Sequence, residues 1–297
     1  MSALSDLSQG MADAVAAAAP GIVRVEARRR LPATGIVWSA DGLIMTANHV
    51  VKQDDNIVIG LADGTSVPAT LVGRDPTTDT AVLRAEASDL APLVETDKKN
   101  LGVGHLALAL GRPGKSVQAT LGVISALGDA WRTPWGGQID RYLQTDMVMY
   151  PGFSGGPLVD VDGRLIGLNT SGLSRGVSLA VPTPTLARIA ETLLAHGRMR
   201  RGYLGVSTQP VKLPKPAQEE LGQKMGLLIV SAETDSPAEK GGLTLGDTIV
   251  GLADTPVQHH EDLLAQLSGD RIGTTVPVQI LRGGEVKVVD VMVGERP

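Results

Sequence analysis

The sequence contains no cysteine, few aromatic residues and no long hydrophobic run. Its 297 residues include seven aromatic side chains, from three Trp, three Tyr and one Phe. The absence of cysteine excludes disulfides, thiolate metal ligands and cysteine nucleophiles. Because aromatics are scarce, Val, Leu, Ile and Ala must build the core. No stretch approaches the ~18 apolar residues of a membrane helix, so we expect no transmembrane segment.

Neither sign of charge is concentrated in a long block. Lys and Arg total 27 against 32 Asp and Glu, a net charge of −5. The runs Arg28–Arg30 and Arg198–Arg201 are short enough to be solvated, so we expect no nucleic-acid partner. Nothing resembles a paired-histidine metal motif or a phosphate loop, so we expect no metal and no cofactor. Asp6 and Asp13 stand where a signal peptide would be cationic, which leaves a cytoplasmic protein and an exported one whose signal is absent from this chain both open.

The length predicts two domains, preceded by a helical segment at residues 1–20. Apolar residues recur there at three- and four-residue spacing, the pattern of an amphipathic helix, and Pro20 ends it. These residues are Leu4, Leu7, Met11, Val15 and Ala18.

From Ile22 onward, short aliphatic runs alternate with turn dipeptides. Asp41-Gly42 and Asp63-Gly64 each join two such runs, which predicts hairpins. About a dozen strands before residue 183 predict a pair of antiparallel barrels or a sandwich. A helix is predicted at Pro184–His196, stopped by Gly197. The first domain then covers residues 21–198, and residues 199–297 form a small mixed α+β domain.

The stretch "YPGFSGGPLVD" is typical of a nucleophile loop. It surrounds Ser154 with Gly152, Gly155 and Gly156, and glycines let a chain turn tightly and bring N–H groups close to a reacting atom. An esterase of the α/β-hydrolase type would place a helix directly after the serine. Pro157 and a predicted hairpin follow instead, so that alternative is disfavoured.

A general base and an acid precede this serine. His49 closes the strand "LIMTAN" at a position that can face a cleft, whereas the other histidines fit strand entrances, helix ends or exposed positions; these are His105, His196, His259 and His260. Asp79 leads directly into an apolar strand, while Asp75 precedes Pro76 and is better explained as a turn former. The chain order His, Asp, Ser is that of chymotrypsin-type sites.

These motifs together resemble the HtrA/Deg family of trypsin-like serine proteases with one C-terminal PDZ domain. "TANHVV", "TDTAVL" and "GFSGGPLV" are similar to its three catalytic motifs, and "RRGYLGV" with "SPAEKGGLTLGDTIVGL" to its PDZ domain. The resemblance implies a mainly β fold, a chymotrypsin-like double β-barrel followed by an α+β PDZ domain. It implies that Ser154 is the nucleophile, His49 the general base, and Asp79 the group that fixes the imidazole tautomer. The N–H groups of Gly152 and Ser154 would form the oxyanion hole.

The resemblance also implies substrates and partners. Peptide C-termini would add as a strand, with the carboxylate on the amides of Leu204, Gly205 and Val206. The protein would be an ATP-independent endopeptidase of protein quality control, acting on unfolded polypeptides as a homotrimer. Because the candidate pocket residues Val148 and Leu179 are apolar, we predict cleavage after small or medium apolar residues.

Two residues depart from the family pattern. Phe153 replaces a residue that is more often polar, so a side-chain hydrogen bond that would brace the loop is lost, and Arg112 stands where Asn is usual. The connection "LPATG" is too short for a long regulatory arm. The loops Gly128–Asp140 and Ser171–Val177 are predicted to switch the oxyanion loop between disordered and ordered states. The alternative function is a catalytically quiet chaperone or peptide-binding protein, in which Phe153 keeps catalysis off.

Overall fold

The computed structural model describes residues 2–96, 101–174, 176–267 and 271–296. The chain divides into two compact units, Met1–Met199 and Arg200–Pro297. Each has its own apolar core, and the aliphatic composition is visible in both.

Helix α1 covers Ala3–Ala18 and is followed by a short 3-10 turn at Ala19–Gly21. The hydroxyl of Ser2 accepts a hydrogen bond from the Ser5 N–H and so begins the helix. Ala14 and Ala18 are buried, but Leu4 is 78% exposed. The predicted apolar face therefore packs against the barrels only over its C-terminal half.

The first barrel closes six antiparallel strands in the order β1-β2-β3-β6-β5-β4. The strands are β1 (Ile22–Glu26), β2 (Ala33–Val37), β3 (Leu43–Ala47), β4 (Ile57–Gly60), β5 (Ser66–Asp75) and β6 (Thr80–Ala85). The predicted hairpins are confirmed as β2–β3 and β4–β5. Ile36, Ile44 and Leu83 fill the interior and are fully buried.

The second barrel closes another six strands in the order β11-β14-β13-β12-β7-β8. They are β7 (Leu106–Gly111), β8 (Gln118–Gly128), β11 (Tyr142–Thr145), β12 (Pro157–Val159), β13 (Leu165–Thr170) and β14 (Ser178–Pro182). A small hairpin of β9 (Trp131–Arg132) and β10 (Gln138–Ile139) projects between β8 and β11. Two six-stranded antiparallel barrels confirm the chymotrypsin-like fold class over the sandwich.

Helix α2 covers Thr183–His196, one residue more than predicted, and Gly197 ends it. Leu186, Ile189 and Leu193 are buried on its inner face. They belong to the same apolar core as the first barrel, so α2 is part of the first unit.

The second unit is built on a sheet with β16-β17-β18-β20-β21 in order, in which β16 is an edge strand. Its strands are β15 (Gly202–Tyr203), β16 (Val206–Lys212), β17 (Met225–Ala232), β18 (Thr248–Leu252), β19 (Thr255–Pro256), β20 (Thr275–Arg282), β21 (Glu285–Met292) and β22 (Gly294–Glu295). Its helices are α3 (Lys215–Leu221), α4 (Pro237–Lys240) and α5 (His260–Gln266). In the part of the chain that the structure describes, no helix is both long and apolar enough to cross a membrane.

Candidate active site

His49 and Asp79 meet at the edge of the first barrel. His49 lies in a short 3-10 turn directly after β3, and Asp79 precedes β6, the strand that pairs with β3. His49 Nδ1 is 2.7 Å from Asp79 Oδ2, and the His49 backbone N–H donates to Asp79 Oδ1 at 2.8 Å. With Nδ1 protonated toward the carboxylate, Nε2 is left as a proton acceptor.

The Asp79 carboxylate is nearly fully buried and has a third partner. The hydroxyl of Thr170, at the end of β13, donates a short hydrogen bond to Asp79 Oδ2. Asp79 has a positive φ of 54°, a conformation that Asp tolerates better than most residues. These three hydrogen bonds fix the orientation of the carboxylate.

The turn that precedes Asp79 is held by Asp75. Its carboxylate accepts hydrogen bonds from the Thr77 N–H at 3.0 Å and the Thr78 hydroxyl at 2.8 Å, so Asp75 acts as the turn former that the sequence indicates. The β9–β10 hairpin supports the same turn, because the Thr133 hydroxyl donates to the Thr77 carbonyl at 2.7 Å. The predicted loop Gly128–Asp140 is thus a hairpin anchored behind the acid.

The second predicted loop, Ser171–Val177, borders the pair from the other barrel; its Arg175 lies outside the described residues. A Cβ on Gly172 would lie 2.4 Å from Asp79 Oδ2 and 3.0 Å from His49 Nδ1. Only glycine permits this approach, so this loop packs directly against Asp79 and His49.

Ser154 comes from the second barrel, in the loop between β11 and β12. It faces a cleft of about 350 Å³ that His49 also lines, together with Ser171 and the stretch 149–152. The Ser154 Oγ is 3.2 Å from the Ser171 Oγ. The structure therefore brings the three predicted triad residues to one site, with the serine hydroxyl bonded to a neighbouring hydroxyl.

The loop before Ser154 is held by a threonine of the first barrel. The Thr34 hydroxyl accepts from the Arg112 N–H at 2.8 Å and donates to the Gly152 carbonyl at 2.7 Å. Gly152 has a φ of +91°, and a Cβ there would lie 2.6 Å from Pro113 Cβ. The Gly152 carbonyl is thereby turned into the protein. Within the described ranges, the N–H groups of Gly152 and Ser154 donate to no protein acceptor, as an oxyanion hole requires.

Phe153 is fully buried beneath this loop. Its ring packs edge-on to Tyr150 with centroids 5.8 Å apart, and it fills space left by Gly111, where a Cβ would lie 2.6 Å from the ring. The bracing hydrogen bond that a polar residue would supply is thus replaced by apolar packing.

Arg112, the second departure from the family pattern, is also buried. Its Nη2 donates to the Ala19 carbonyl at 2.9 Å, immediately after α1. Burial lowers the pKa of the Arg112 guanidinium. Arg112 joins the end of α1 to the segment after β7, in which Pro113 lies against Gly152.

The residues predicted for the specificity pocket do not line this cleft. Val148 is 60% exposed, and Leu179 is buried in β14. The cleft is lined instead by Met149 and by two arginines of the β1–β2 connection, Arg28 and Arg30. The run Arg28–Arg30, expected only to be solvated, therefore contributes to the wall of the site.

In the second unit, the predicted carboxylate loop has the required peptide orientation. The Leu204 carbonyl accepts from the Ala238 N–H at 2.8 Å, and the Gly205 carbonyl accepts from the Glu233 N–H at 2.8 Å. Because a trans peptide places its N–H opposite its carbonyl, the N–H groups of Gly205 and Val206 point the other way. Such a pair of amides suits an anionic ligand.

The edge strand β16 begins at this loop and runs beside helix α5. His260 Nε2, on α5, is 2.9 Å from the Thr208 carbonyl of β16. At the start of the loop, the Tyr203 hydroxyl donates a short hydrogen bond to Glu233, which raises the pKa of Tyr203. An edge strand such as β16 can accept an added strand.

Sequence reasoning missed four residues around the candidate site. Thr34, Thr170 and Ser171 make its polar contacts, and Gly172 permits its closest packing. Thr34 and Thr170 follow no local motif, and Ser171 and Gly172 lie in a loop that the sequence analysis singles out without assigning them these contacts. Their contacts with the segments that carry Ser154 and Asp79 arise only when the two barrels close, so the sequence alone does not indicate them.

Two family models match the chain in the order that the fold predicts. A trypsin-like peptidase domain matches residues 33–168, and a PDZ domain matches residues 202–293. The fold and the site thus define a trypsin-like peptidase architecture joined to a peptide-binding module.

Individual relatives indicate which serine proteases this chain is similar to. A probable periplasmic serine endoprotease, DegP-like, from Pseudomonas fulva (strain 12-X) is 37% identical over 270 residues, which are 89% of this chain and 56% of that protein. Its counterpart from Halomonas elongata is 36% identical over 284 residues, 94% of this chain and 59% of that protein. The chain therefore spans less than two thirds of the length of these relatives.

Solved structures match over 97% of the chain. The HtrA-type protease AlgW with a decapeptide has a TM-score of 0.78 at 30% identity, covering 97% of this chain and 99% of that one. A serine endoprotease from Yersinia pestis gives the same TM-score and identity, covering 97% and 98%. The chain belongs to the HtrA family of serine proteases with a PDZ domain.

Proposed function

We propose that this chain is a serine endopeptidase that cleaves unfolded polypeptides through an acyl-enzyme formed on Ser154. One observation carries the proposal. A buried carboxylate, Asp79, accepts hydrogen bonds from the imidazole and from the backbone N–H of His49, and His49 lines the same cleft as Ser154. A base oriented by a third group, beside a hydroxyl, is the arrangement of nucleophilic catalysis.

Acylation follows from this geometry. His49 Nε2 takes the proton of the Ser154 hydroxyl as Oγ bonds to the scissile carbonyl carbon. The resulting oxyanion accepts hydrogen bonds from the N–H groups of Gly152 and Ser154. The imidazolium, stabilised by Asp79, then gives its proton to the leaving amine as the C–N bond breaks.

Deacylation repeats these steps with water. His49 takes a proton from water, whose oxygen attacks the ester carbonyl, and returns it to Ser154 as the acid product leaves. Each oxyanion-hole donor contributes about 3–4 kcal/mol of transition-state stabilisation. The carbonyl of Gly152, bound to Thr34 at 2.7 Å, holds the loop in the orientation this step needs.

The proposed substrates are unfolded chains, cleaved without nucleotide hydrolysis after small or medium apolar residues. The apolar side chain of Met149, which lines the cleft, supports this preference. A peptide-library digest tests it. Cleavage mainly after Lys or Arg would contradict the assignment.

We also propose that peptide C-termini bind along β16 and regulate the protease. The amides of Leu204, Gly205 and Val206 would take the carboxylate; the inward-bonded carbonyls of Leu204 and Gly205 support this for the amides of Gly205 and Val206. The structure of AlgW named above contains a decapeptide, which supports peptide binding in the family. Protease assays with and without C-terminal peptides test occupancy and switching together.

A homotrimer and an exported location complete the proposal. Leu4 and Leu7 are 78% and 44% exposed on α1, which supports burial of this face against other copies. Light scattering should give three times the chain mass, and the double variant Leu4→Ser, Leu7→Ser should lower this mass.

The proposed location is outside the cytoplasm. The relatives named above are called periplasmic, which supports export. Fractionation of the source cells tests the location.

The decisive experiment is labelling with a fluorophosphonate. Wild type should label at Ser154 and hydrolyse casein, whereas Ser154→Ala should do neither and should still bind C-terminal peptides. A wild-type protein that binds peptides but neither labels nor cleaves, with or without a C-terminal peptide, would favour the alternative function, a catalytically quiet chaperone or peptide-binding protein.

A further inference from the structure

The wall of the cleft contains two cationic side chains and no acidic one. Arg28 and Arg30, from the connection between β1 and β2, line the cleft with His49 and Ser154, and its lining includes no Asp or Glu. The only carboxylate of the described site, Asp79, lies behind the imidazole and is buried.

The arginines of this connection are not paired with carboxylates. Other arginines of the first unit form ion pairs, such as Arg84 with Asp41 at 2.7 Å and Arg188 with Asp140 at 3.1 Å. Among the described residues, Arg28 contacts only the carbonyls of Leu31 and Pro32, and Arg30 has no acceptor. Two positive charges are therefore held in the cleft without neutralisation.

The position of the connection between β1 and β2 indicates which side of the scissile bond it contacts in a bound substrate. Its first residue, Ala27, accepts a hydrogen bond through its carbonyl from the Lys52 N–H at 2.8 Å, three residues after His49. At its other end, the Pro32 carbonyl lies against Gly152. Because His49 gives its proton to the leaving amine, this wall flanks the leaving-group side of the scissile bond.

We propose that Arg28 and Arg30 form a subsite for acidic side chains among the first three residues after the scissile bond, so that the enzyme prefers acidic polypeptide segments there. The inference rests on the proposed endopeptidase function. A carboxylate bound between two unpaired guanidinium groups gains charge-assisted hydrogen bonds that an amide of the same shape does not. In a cleft open to solvent the gain is modest and depends on salt.

Paired quenched-fluorescent peptides test the proposal. Two peptides differ only by Glu or Gln at one of the three positions after the cleaved bond, and product sequencing fixes that bond. We expect kcat/KM for the Glu peptide to exceed that for the Gln peptide about 3- to 5-fold at low salt, with the ratio falling toward 1 at about 0.5 M NaCl.

Arg29 supplies a matched control. It lies between the two arginines, is exposed and does not line the cleft. Arg30→Gln should bring the Glu/Gln ratio to about 1, and Arg30→Glu should invert it, whereas Arg29→Gln should preserve it. Arg30 is the better probe because Arg28 also holds the Leu31 carbonyl.

Three results would overturn the inference: a wild-type ratio near 1, a ratio that Arg29→Gln lowers as much as Arg30→Gln, or an acidic preference located before the scissile bond. In all three cases the peptides are cleaved, so the endopeptidase proposal stands. If no peptide is cleaved and Ser154 does not label, both proposals fail.

Discussion

The two halves of the candidate site are held by different forces. The acid and base come from the first barrel, where Asp79 accepts three hydrogen bonds from His49 and Thr170. The serine comes from the second barrel, where its hydroxyl contacts only Ser171 among the described residues and its loop rests on the buried Phe153. The base is therefore preorganised by hydrogen bonds to a buried carboxylate. Ser154 instead keeps an exchangeable hydrogen-bond partner, and its loop is held by packing on Phe153 together with the hydrogen bond from Thr34 to the Gly152 carbonyl.

The largest expected effect comes from removing the charge of Asp79, on which the orientation of His49 depends. Asp79→Asn keeps the shape of the side chain but removes its charge and favours the wrong imidazole tautomer. We expect kcat to fall about 10⁴-fold, the loss seen when a triad loses this charge. Steady-state hydrolysis of a peptide measures it, and an unchanged unfolding midpoint would show that the fold is intact. A loss below tenfold would mean that His49 is oriented by other contacts.

The second-largest effect is expected on stability, from replacing Phe153 beneath the loop that carries Ser154. Phe153→Ala should lower the free energy of unfolding of the first unit by about 3–5 kcal/mol, because it removes a fully buried ring. Trp38, Trp131 and Trp135 all lie in that unit, so tryptophan fluorescence during urea unfolding reports on it alone. The control Val103→Ala removes a side chain that is 63% exposed and should change the free energy of unfolding by less than about 0.5 kcal/mol.

These two halves also differ in how well the sequence predicts them. His49 and Asp79 stand at strand ends and Ser154 stands in a glycine-rich loop, so local pattern and chain order select them as candidates, and the family resemblance supplies their expected roles. Thr170 reaches Asp79 across 91 residues of sequence and looks like any strand threonine until the barrels close. The helical period predicts an apolar face on α1 but not which half is covered, since Leu4 and Ala18 differ only in their tertiary neighbours.

The candidate pocket shows a further limit. Val148 and Leu179 were chosen by counting back from the serine and by the aliphatic character of β14. Whether such side chains face a cleft depends on the path of the loop between β11 and β12, and counting along the chain does not specify that path. The same holds for Arg28 and Arg30, which look like a solvated run until the connection between β1 and β2 is placed beside His49.

Thr34, in the first barrel, makes a hydrogen bond to the loop of the second barrel that carries Ser154. Replacing Thr34 tests whether packing alone can hold that loop. Thr34→Val keeps the volume but leaves the Gly152 carbonyl and the Arg112 N–H without their partner. Since each unsatisfied buried group costs about 1–3 kcal/mol, we expect kcat to fall about tenfold with little change in KM. Thr34→Ser, which retains the hydroxyl, should restore most of the activity. An equal loss in both variants would point to lost packing and not to the hydrogen bonds.

The smallest effect should come from Ser171, whose hydroxyl lies 3.2 Å from that of Ser154. This contact competes with the hydrogen bond that Ser154 must donate to His49 before it can attack. Ser171→Ala removes the competitor, and a net hydrogen bond is worth about 1 kcal/mol, so fluorophosphonate labelling of Ser154 should become about three-fold faster. The rate constant of labelling measures this step without the later chemistry. Slower labelling would mean that Ser171 positions the nucleophile, so that the serine half, like the acid and base, depends on a polar contact.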